Sequence, residues 1–401
     1  MLENSNTNRY IMLDDIKNYI NNYFHSRYIK TFPEGIHNQL LYLWDDGKRL
    51  RPALFITICP IYDLTQPDRL LDNMVNIISD YAVNIELLHC LSLLVDDLPE
   101  MDNEIVRRGR PCFHKVFGIQ KSNMFIYYLL SRITNNLSTI FNNNNELEIT
   151  YSRLRIIEHT AFISHYITSN LIDGQYLDML ETSISKKNTA YSEILDNNIS
   201  IVLELIINMI LELKIINLEA EFKTSIEKCI ILIIKKTGTL FALPLITGLL
   251  TQLYITNSLY TGNEIPINDN INLETSFEQP RKLFNEIKPL RRQSEQSTNS
   301  FNLGTDNLYN FIITWGFLLG FFYQMSDDYL DYKEDLEKGK PNICNLLGID
   351  ASITLLNFGI QTLKNITIYI KQNLLILWPN TIQIEINIIN QILDIITNRI
   401  S

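Results

Sequence analysis

Three aspartates followed closely by two arginines form the stretch of this sequence best equipped for chemistry. Residues 89–118 read HCLSLLVDDLPEMDNEIVRRGRPCFHKVFG, with Asp96, Asp97 and Asp102 in one short window and the pair Arg107–Arg108 five residues beyond. The segment before them, Ile85 to Val95, is apolar at helical spacing. Carboxylates at the end of an apolar helix are costly to bury unless a cation compensates them. Mg²⁺ suits the task, because it takes oxygen ligands and keeps waters while bridging carboxylates to phosphates. The arginines add forked donors that match phosphate oxygens two at a time. Taken alone, the same pattern also describes a solvated helix end. A second cluster changes the balance. Residues 321–341 read FFYQMSDDYLDYKEDLEKGKP, an apolar helix running into Asp327, Asp328 and Asp331. Asp327 and Asp331 are four apart, so they share one helix face. Two such ends facing one cavity would hold divalent ions on a single diphosphate.

Three shorter motifs add to these. In GKRLRP, Gly47 to Pro52, the residues Lys48, Arg49 and Arg51 lie just before an apolar helix, where an anion binds favourably. In DGQYLDM, Gln175 and Asp178 are three apart and share a helix face. In IIKKTGTLFALPLITG, Lys235, Lys236, Thr237 and Gly238 interrupt an apolar helix. A lysine there needs an anion, or must snorkel outward. Each motif alone has a plainer reading: a basic surface turn, satisfied core polar groups, a snorkelling side chain.

The elements that must carry these residues are helices. Of 401 residues, 46% are hydrophobic, while Gly (14) and Pro (12) are sparse. Few breakers and long periodic apolar runs predict an all-α chain. We expect a first helix within residues 1–30, a buried helix over 72–97, and helices over 113–141 and 150–182. Another runs from about Leu308 into the second acidic cluster, and 346–401 forms a helical cap. Residues 183–225 and 256–308 read as inserts within one domain spanning 1–401, the second a flexible loop. A net charge of −11 argues against a general nucleic-acid binder. The cysteines (Cys59, Cys90, Cys112, Cys229, Cys344) are scattered, which argues against zinc and a disulfide framework and for a reducing compartment. The start of the chain has no basic segment followed by an apolar one, so no secretory signal is expected. The most apolar run, Ile199 to Leu218, contains Glu204, Glu212 and Lys214 and reads as a buried helix rather than a membrane span.

With five motifs in this order, the chain resembles the trans-isoprenyl diphosphate synthases, in particular the bacterial and plant type of geranylgeranyl diphosphate synthase. The resemblance covers residues 40–180 and 230–345. It implies the all-α isoprenoid synthase fold, with helices around a deep central cavity, in a homodimer. It also implies a prenyltransferase joining isopentenyl diphosphate to an allylic diphosphate head to tail, with Mg²⁺ as cofactor, usually three ions per site. On this resemblance the metal ligands fall on Asp96, Asp97, Asp102, Asp327, Asp328 and Asp331. Arg107 matches an arginine on the allylic diphosphate, and Arg108, Lys48, Arg51 and His89 match ligands of isopentenyl diphosphate. Lys236, Thr237, Gln175 and Gln324 match residues near the leaving group and reacting carbons, and Lys340 a lysine that closes over the diphosphate. Leu91 and Ser92, on the helix before the first motif, match the positions that set chain length. A bulky aromatic at 91 would stop growth at fifteen carbons, and the residues present imply twenty, with longer or farnesyl products as the alternative.

The chain departs from the family pattern in places. Val95 stands where a His is usual, Asp46 replaces the first glycine of a Gly-Gly-Lys-Arg pattern, and Ile126–Tyr127 replace a Gly-Asp pair. A terpene cyclase of the same chemistry would carry Ser or Thr at 331 and Glu at 335, where this chain has Asp331 and Asp335. A non-catalytic partner subunit would tend to lose an Asp cluster or the Arg pair, and both are present. The compartment expected is the cytoplasm, with a plastid-like organelle or mitochondrion as alternatives.

Overall fold

The computed structural model describes residues 12–59, 72–139, 167–183, 197–214, 220–259, 305–340, 342–377 and 386–400. Among them the only sheet is a two-stranded hairpin, and all other regular structure is helical. Apart from that hairpin the described residues are all-α, as the sequence predicts. The described residues gather into two compact units, Met1–Ile157 with Gln383–Ile392, and Glu158–Ile382 with Leu393–Ser401.

The first unit is built on α4, Asp72–Asp96. Around it pack α1 (Leu13–Ser26), α2 (His37–Trp44), α3 (Leu50–Ile58) and α6 (Ile119–Thr139). From Ile78 to Leu91 its side chains are almost all buried, which fits its lack of a polar face. Trp44 stacks on Phe24 with ring centroids 4.0 Å apart. Just before α3, Arg49 takes a left-handed backbone (φ 58°). Its guanidinium is buried against Glu86 of α4 at 3.1 Å, against the Trp44 carbonyl at 2.6 Å, and over the Trp44 ring. This middle basic residue of GKRLRP is therefore structural. Lys48 is left exposed, and Arg51, 8% exposed, sits on the first turn of α3.

After α4 come β1 (Val106–Arg107) and β2 (Arg110–Pro111), paired antiparallel. The two-residue turn between them, Arg108–Gly109, has positive φ at both positions (53° and 76°). That matches the twist of a tight hairpin, and glycine at the second position makes it affordable. The single helix expected over 113–141 is two, α5 (Phe113–Phe117) and α6, because Gly118 takes φ 84°. From the helix expected over 150–182, residues 167–172 form a π turn leading into α7, Asp173–Ser183. Residues 150–166 lie outside the described residues, as do 184–196 and 215–219 of the first insert and 260–304 of the second.

The second unit is built on α11, Thr305–Lys338. It packs against α8 (Asn197–Glu212), α9 (Ala220–Ile233), a π turn at Ile234–Gly238, α10 (Thr239–Leu259), α12 (Ile343–Leu347) and α13 (Ile349–Leu377). The close approach of α11 to the π turn depends on Gly320. A Cβ there would lie 2.6 Å from the Gly238 Cα, nearer than packed atoms come. The last helix, α14 (Ile386–Ile400), contributes its residues from Leu393 onward to this unit. Two stretches, Val75–Asp96 and Phe222–Gln252, are long and apolar enough to cross a membrane. Their apolar windows are 78% and 83% buried inside the protein, as core helices are.

Candidate active site

In the first unit, α4 delivers Asp96 at its last residue. The chain then folds back, with the Asp102 N–H donating to the Asp96 carbonyl at 2.9 Å and the Asn103 N–H to Leu98 at 2.9 Å. The outer acids of the motif are thus brought to one end of α4, Asp96 half-buried and Asp102 exposed. Asp97 behaves differently. Its carboxylate accepts from Arg107 Nε at 2.6 Å and is 6% exposed. Burial raises its pKa, and the Arg107 charge works against that rise. The hairpin positions the arginine pair so that Arg107 points back onto the motif while Arg108, at the turn, stays exposed.

Next to this end lies a concentration of positive charge. His89, on α4, is 8% exposed and its Nδ1 has no hydrogen-bond partner. Burial holds its pKa well below the ordinary value, and the charges of Arg51, Arg108, Arg107 and Arg49 push it lower. An orphaned polar atom in a cationic field is what a bound anion would satisfy. Leu91 is buried and Ser92 half-buried on the same helix, the Ser92 hydroxyl donating to the His89 carbonyl at 2.8 Å. A cavity of about 60 Å³ lies between the end of α4 and the hairpin, lined by Leu94, Asp97, Arg107, Arg108 and Cys112 among others. It has room for water but not for a prenyl chain.

In the second unit the site is built around α11. Thr237, on the π turn, donates to Gln324 Oε1 at 2.9 Å, and Gln324 Nε2 donates to Asp328 Oδ1 at 2.9 Å. The other Asp328 oxygen accepts the Ile343 N–H at 3.1 Å. Asp328 is thus engaged by the protein on both oxygens, and burial raises its pKa to about 7. Asn342 caps α12 and donates to the Asp328 carbonyl and to Asp335 Oδ2, at 2.8 and 2.9 Å. Asp327 keeps 34% of its side chain exposed, and Asp331, one turn on, is exposed. Lys340 follows Gly339 (φ 66°), which ends α11, and its N–H donates to the Asp335 carbonyl at 2.9 Å.

The π turn also explains the interrupting lysines. Single-turn π segments inside α-helices are frequent at functional sites. Lys236 Nζ lies 2.6 Å from Asp178 Oδ2, and buried Lys235 lies 3.9 Å from Asp173 Oδ2. Both acids come from α7, which approaches this closely because residue 174 is glycine; a Cβ there would sit 2.8 Å from the Lys235 Cβ. Gln175, on the same helix, is half-buried. The sequence reading recognised the shared face of Gln175 and Asp178 but not that Asp178 would be the anion for Lys236. It also left Asn342 and the hairpin unread, although Gly109 directly after Arg108 is a turn signal.

The sequence profile of the polyprenyl synthetase family matches residues 33–216. A chloroplastic geranylgeranyl pyrophosphate synthase of Catharanthus roseus is 40% identical over 87 residues, 21% of this chain and 22% of that protein. The farnesyl diphosphate synthase of Bacillus subtilis is 30% identical over 148 residues, 37% of this chain and 45% of that protein. The chain thus matches less than half the length of either. The geranyltransferase of Helicobacter pylori superposes with a TM-score of 0.57 at 17% identity, covering 99% of this chain and all of that one. The chain thus has the all-α isoprenoid synthase fold, and the polyprenyl synthetase profile matches it over less than half of its length. The resemblance drawn from its motifs is borne out. A further structure of the Helicobacter pylori geranyltransferase, complexed with magnesium and isoprenyl diphosphate, superposes with a TM-score of 0.55 at 18% identity, covering 96% of this chain and 97% of that one.

The two acidic motifs suit Mg²⁺ by donor chemistry. Among the described residues no three His, Cys, Asp or Glu side chains converge on one point. Mg²⁺ does not need such a cage, since it is usually held by one or two carboxylates, waters and substrate phosphates. Asp327 and Asp331 offer such a pair of oxygen donors, outward on one face, and Asp96 with Asp102 offers another.

Proposed function

We propose that the protein is a Mg²⁺-dependent trans-prenyltransferase that condenses isopentenyl diphosphate with an allylic diphosphate, giving geranylgeranyl diphosphate. One observation carries the reading. Each acidic motif buries its second aspartate against protein partners, Asp97 on Arg107 and Asp328 on Gln324 and Ile343, and leaves its outer acids more exposed, Asp327 while paired with Arg399. In this reading Asp96, Asp102, Asp327 and Asp331 hold the metal, while Asp97 and Asp328 fix the helix ends that present them. Bound Mg²⁺ would supply positive charge to the diphosphate leaving group as it departs.

The chain's own residues do the rest. Lys48, Arg51, His89 and Arg108 hold isopentenyl diphosphate, with Arg107 on the allylic diphosphate and Lys340 closing over it. Lys236 balances charge on the leaving group. Thr237 and Gln324, held to each other at 2.9 Å, present oxygen dipoles to the allylic cation, and Gln175 serves the reacting carbons. The proton released after carbon–carbon bond formation goes to the departing diphosphate, so no protein base is required. Leu91 and the small Ser92, about one turn before Asp96, are in this reading the residues that permit a chain longer than fifteen carbons. A single domain, a homodimer, three Mg²⁺ per site and a cytoplasmic location complete the proposal.

The test is product chromatography. Purified protein with Mg²⁺, isopentenyl diphosphate and farnesyl diphosphate should release diphosphate and yield a twenty-carbon product. A protein silent alone that changes another synthase's product would be a modulating subunit. Consumption of the allylic diphosphate without isopentenyl diphosphate would identify a cyclase.

A further inference from the structure

Arg399, in the last turn of α14, is held by five contacts that all lead to one turn of α11. Its Nη1 donates to Ser326 Oγ at 2.7 Å and to the Tyr323 carbonyl at 3.4 Å. Its Nη2 donates to the Tyr323 hydroxyl at 3.0 Å and pairs with Asp327 Oδ1 at 2.9 Å. The guanidinium carbon lies 4.3 Å from the centre of the Tyr323 ring. The Arg399 side chain is 12% exposed, against 34% for Asp327, and Ser326 is fully buried. Most surface ion pairs join two mobile side chains and contribute little. Here the arginine is fixed in advance by a ring and a buried hydroxyl, so its charge is aimed at one carboxylate.

That carboxylate is the first acid of the second motif. We propose that Arg399 is a built-in counter-ion for Asp327, occupying it in the metal-free protein and yielding it when a divalent cation binds. The inference rests on the reading of Asp327 as a metal ligand. A guanidinium beside a ligand opposes a second cation there, and the opposition weakens when the arginine swings away. Tyr323 and Ser326 make the swing cheap, because they keep Arg399 partnered after Asp327 is released. The arrangement keeps the exposed carboxylate neutralised while no metal is bound, and makes loading depend on a metal strong enough to displace the arginine.

The experiment is Mn²⁺ titration of the full chain without substrate, read by electron paramagnetic resonance, with helicity checked by circular dichroism. Arg399→Gln should bind Mn²⁺ about tenfold more tightly than the wild type, a change of ~1.4 kcal/mol. Arg399→Lys, which keeps the charge, should stay near the wild type. The gain should vanish when Asp327→Asn is present in both proteins compared. Should Arg399→Gln lose helicity, Arg399→Met, whose stem still covers the Tyr323 ring, carries the same expectation. An Asp327-dependent site whose affinity is unchanged or weaker in Arg399→Gln overturns the counter-ion role alone. If neither protein shows an Asp327-dependent site, the metal reading of that motif falls and the counter-ion role falls with it.

Discussion

A carboxylate's neighbours decide what it is for. Asp327 and Asp328 are adjacent on one helix, yet one keeps a third of its surface and the other is taken up by Gln324 and Ile343. We therefore expect Asp327→Asn to cut turnover by orders of magnitude with Tm little changed, measured by diphosphate release and thermal unfolding. Asp178→Asn tests the positioning of Lys236, whose ammonium it holds at 2.6 Å. Misplacing a group that orients substrate can cost roughly 10²-fold, so kcat/KM should fall by that order while the fold survives. His89 gives a pH signature. Burial depresses its folded pKa below the ordinary 6.5, so protons bind the unfolded chain more readily. Its contribution to stability is present above pH 6.5 and is lost as pH falls below it. Tm should therefore drop on acidification through that window in the wild type, and drop less in His89→Gln.

At the scale of elements, the second acidic helix works because small residues let it come close. Gly320 of α11 meets the Gly238 backbone, and Gly316 meets Ala242 of α10 so closely that a Cβ would lie 2.5 Å from the Ala242 Cα. That crossing is what sets Gln324 beside Thr237. Gly320→Ala should force the helices apart, costing about 1–3 kcal/mol as overpacking does. Calorimetry should show the lower Tm, and turnover should fall further than stability alone explains. Helix α4 was readable as a buried helix from its apolar run, and α11 from its own. The π turn at Ile234–Gly238 was not, because periodicity registers an interruption without saying which hydrogen bonds replace it. The hairpin was missed for a related reason: two-residue strands are too short to show alternation, and only their turn leaves a trace in sequence.

At the scale of the whole molecule, we expect the fold to stand without metal. Asp96, Asp327 and Asp331 are carried by helices already packed into a core, Asp102 is tied back to the end of α4, and Asp97 and Asp328 are satisfied by protein partners. Chelation with EDTA should therefore abolish turnover while leaving helical circular dichroism intact and Tm nearly unchanged. A collapse of structure on chelation would assign the metal a folding role instead. The sequence by itself determined the helical class, the two acidic helix ends, the cationic motifs and the resemblance to the trans-isoprenyl diphosphate synthases. These are local properties, carried by spacing and residue type along one chain. Only the tertiary structure decided which aspartate of each pair turns inward, that Asp178 answers Lys236, and that Arg399 sits on Asp327. Those outcomes depend on residues from four to more than seventy positions apart meeting in space, and desolvation and charge act on distance, not on sequence order.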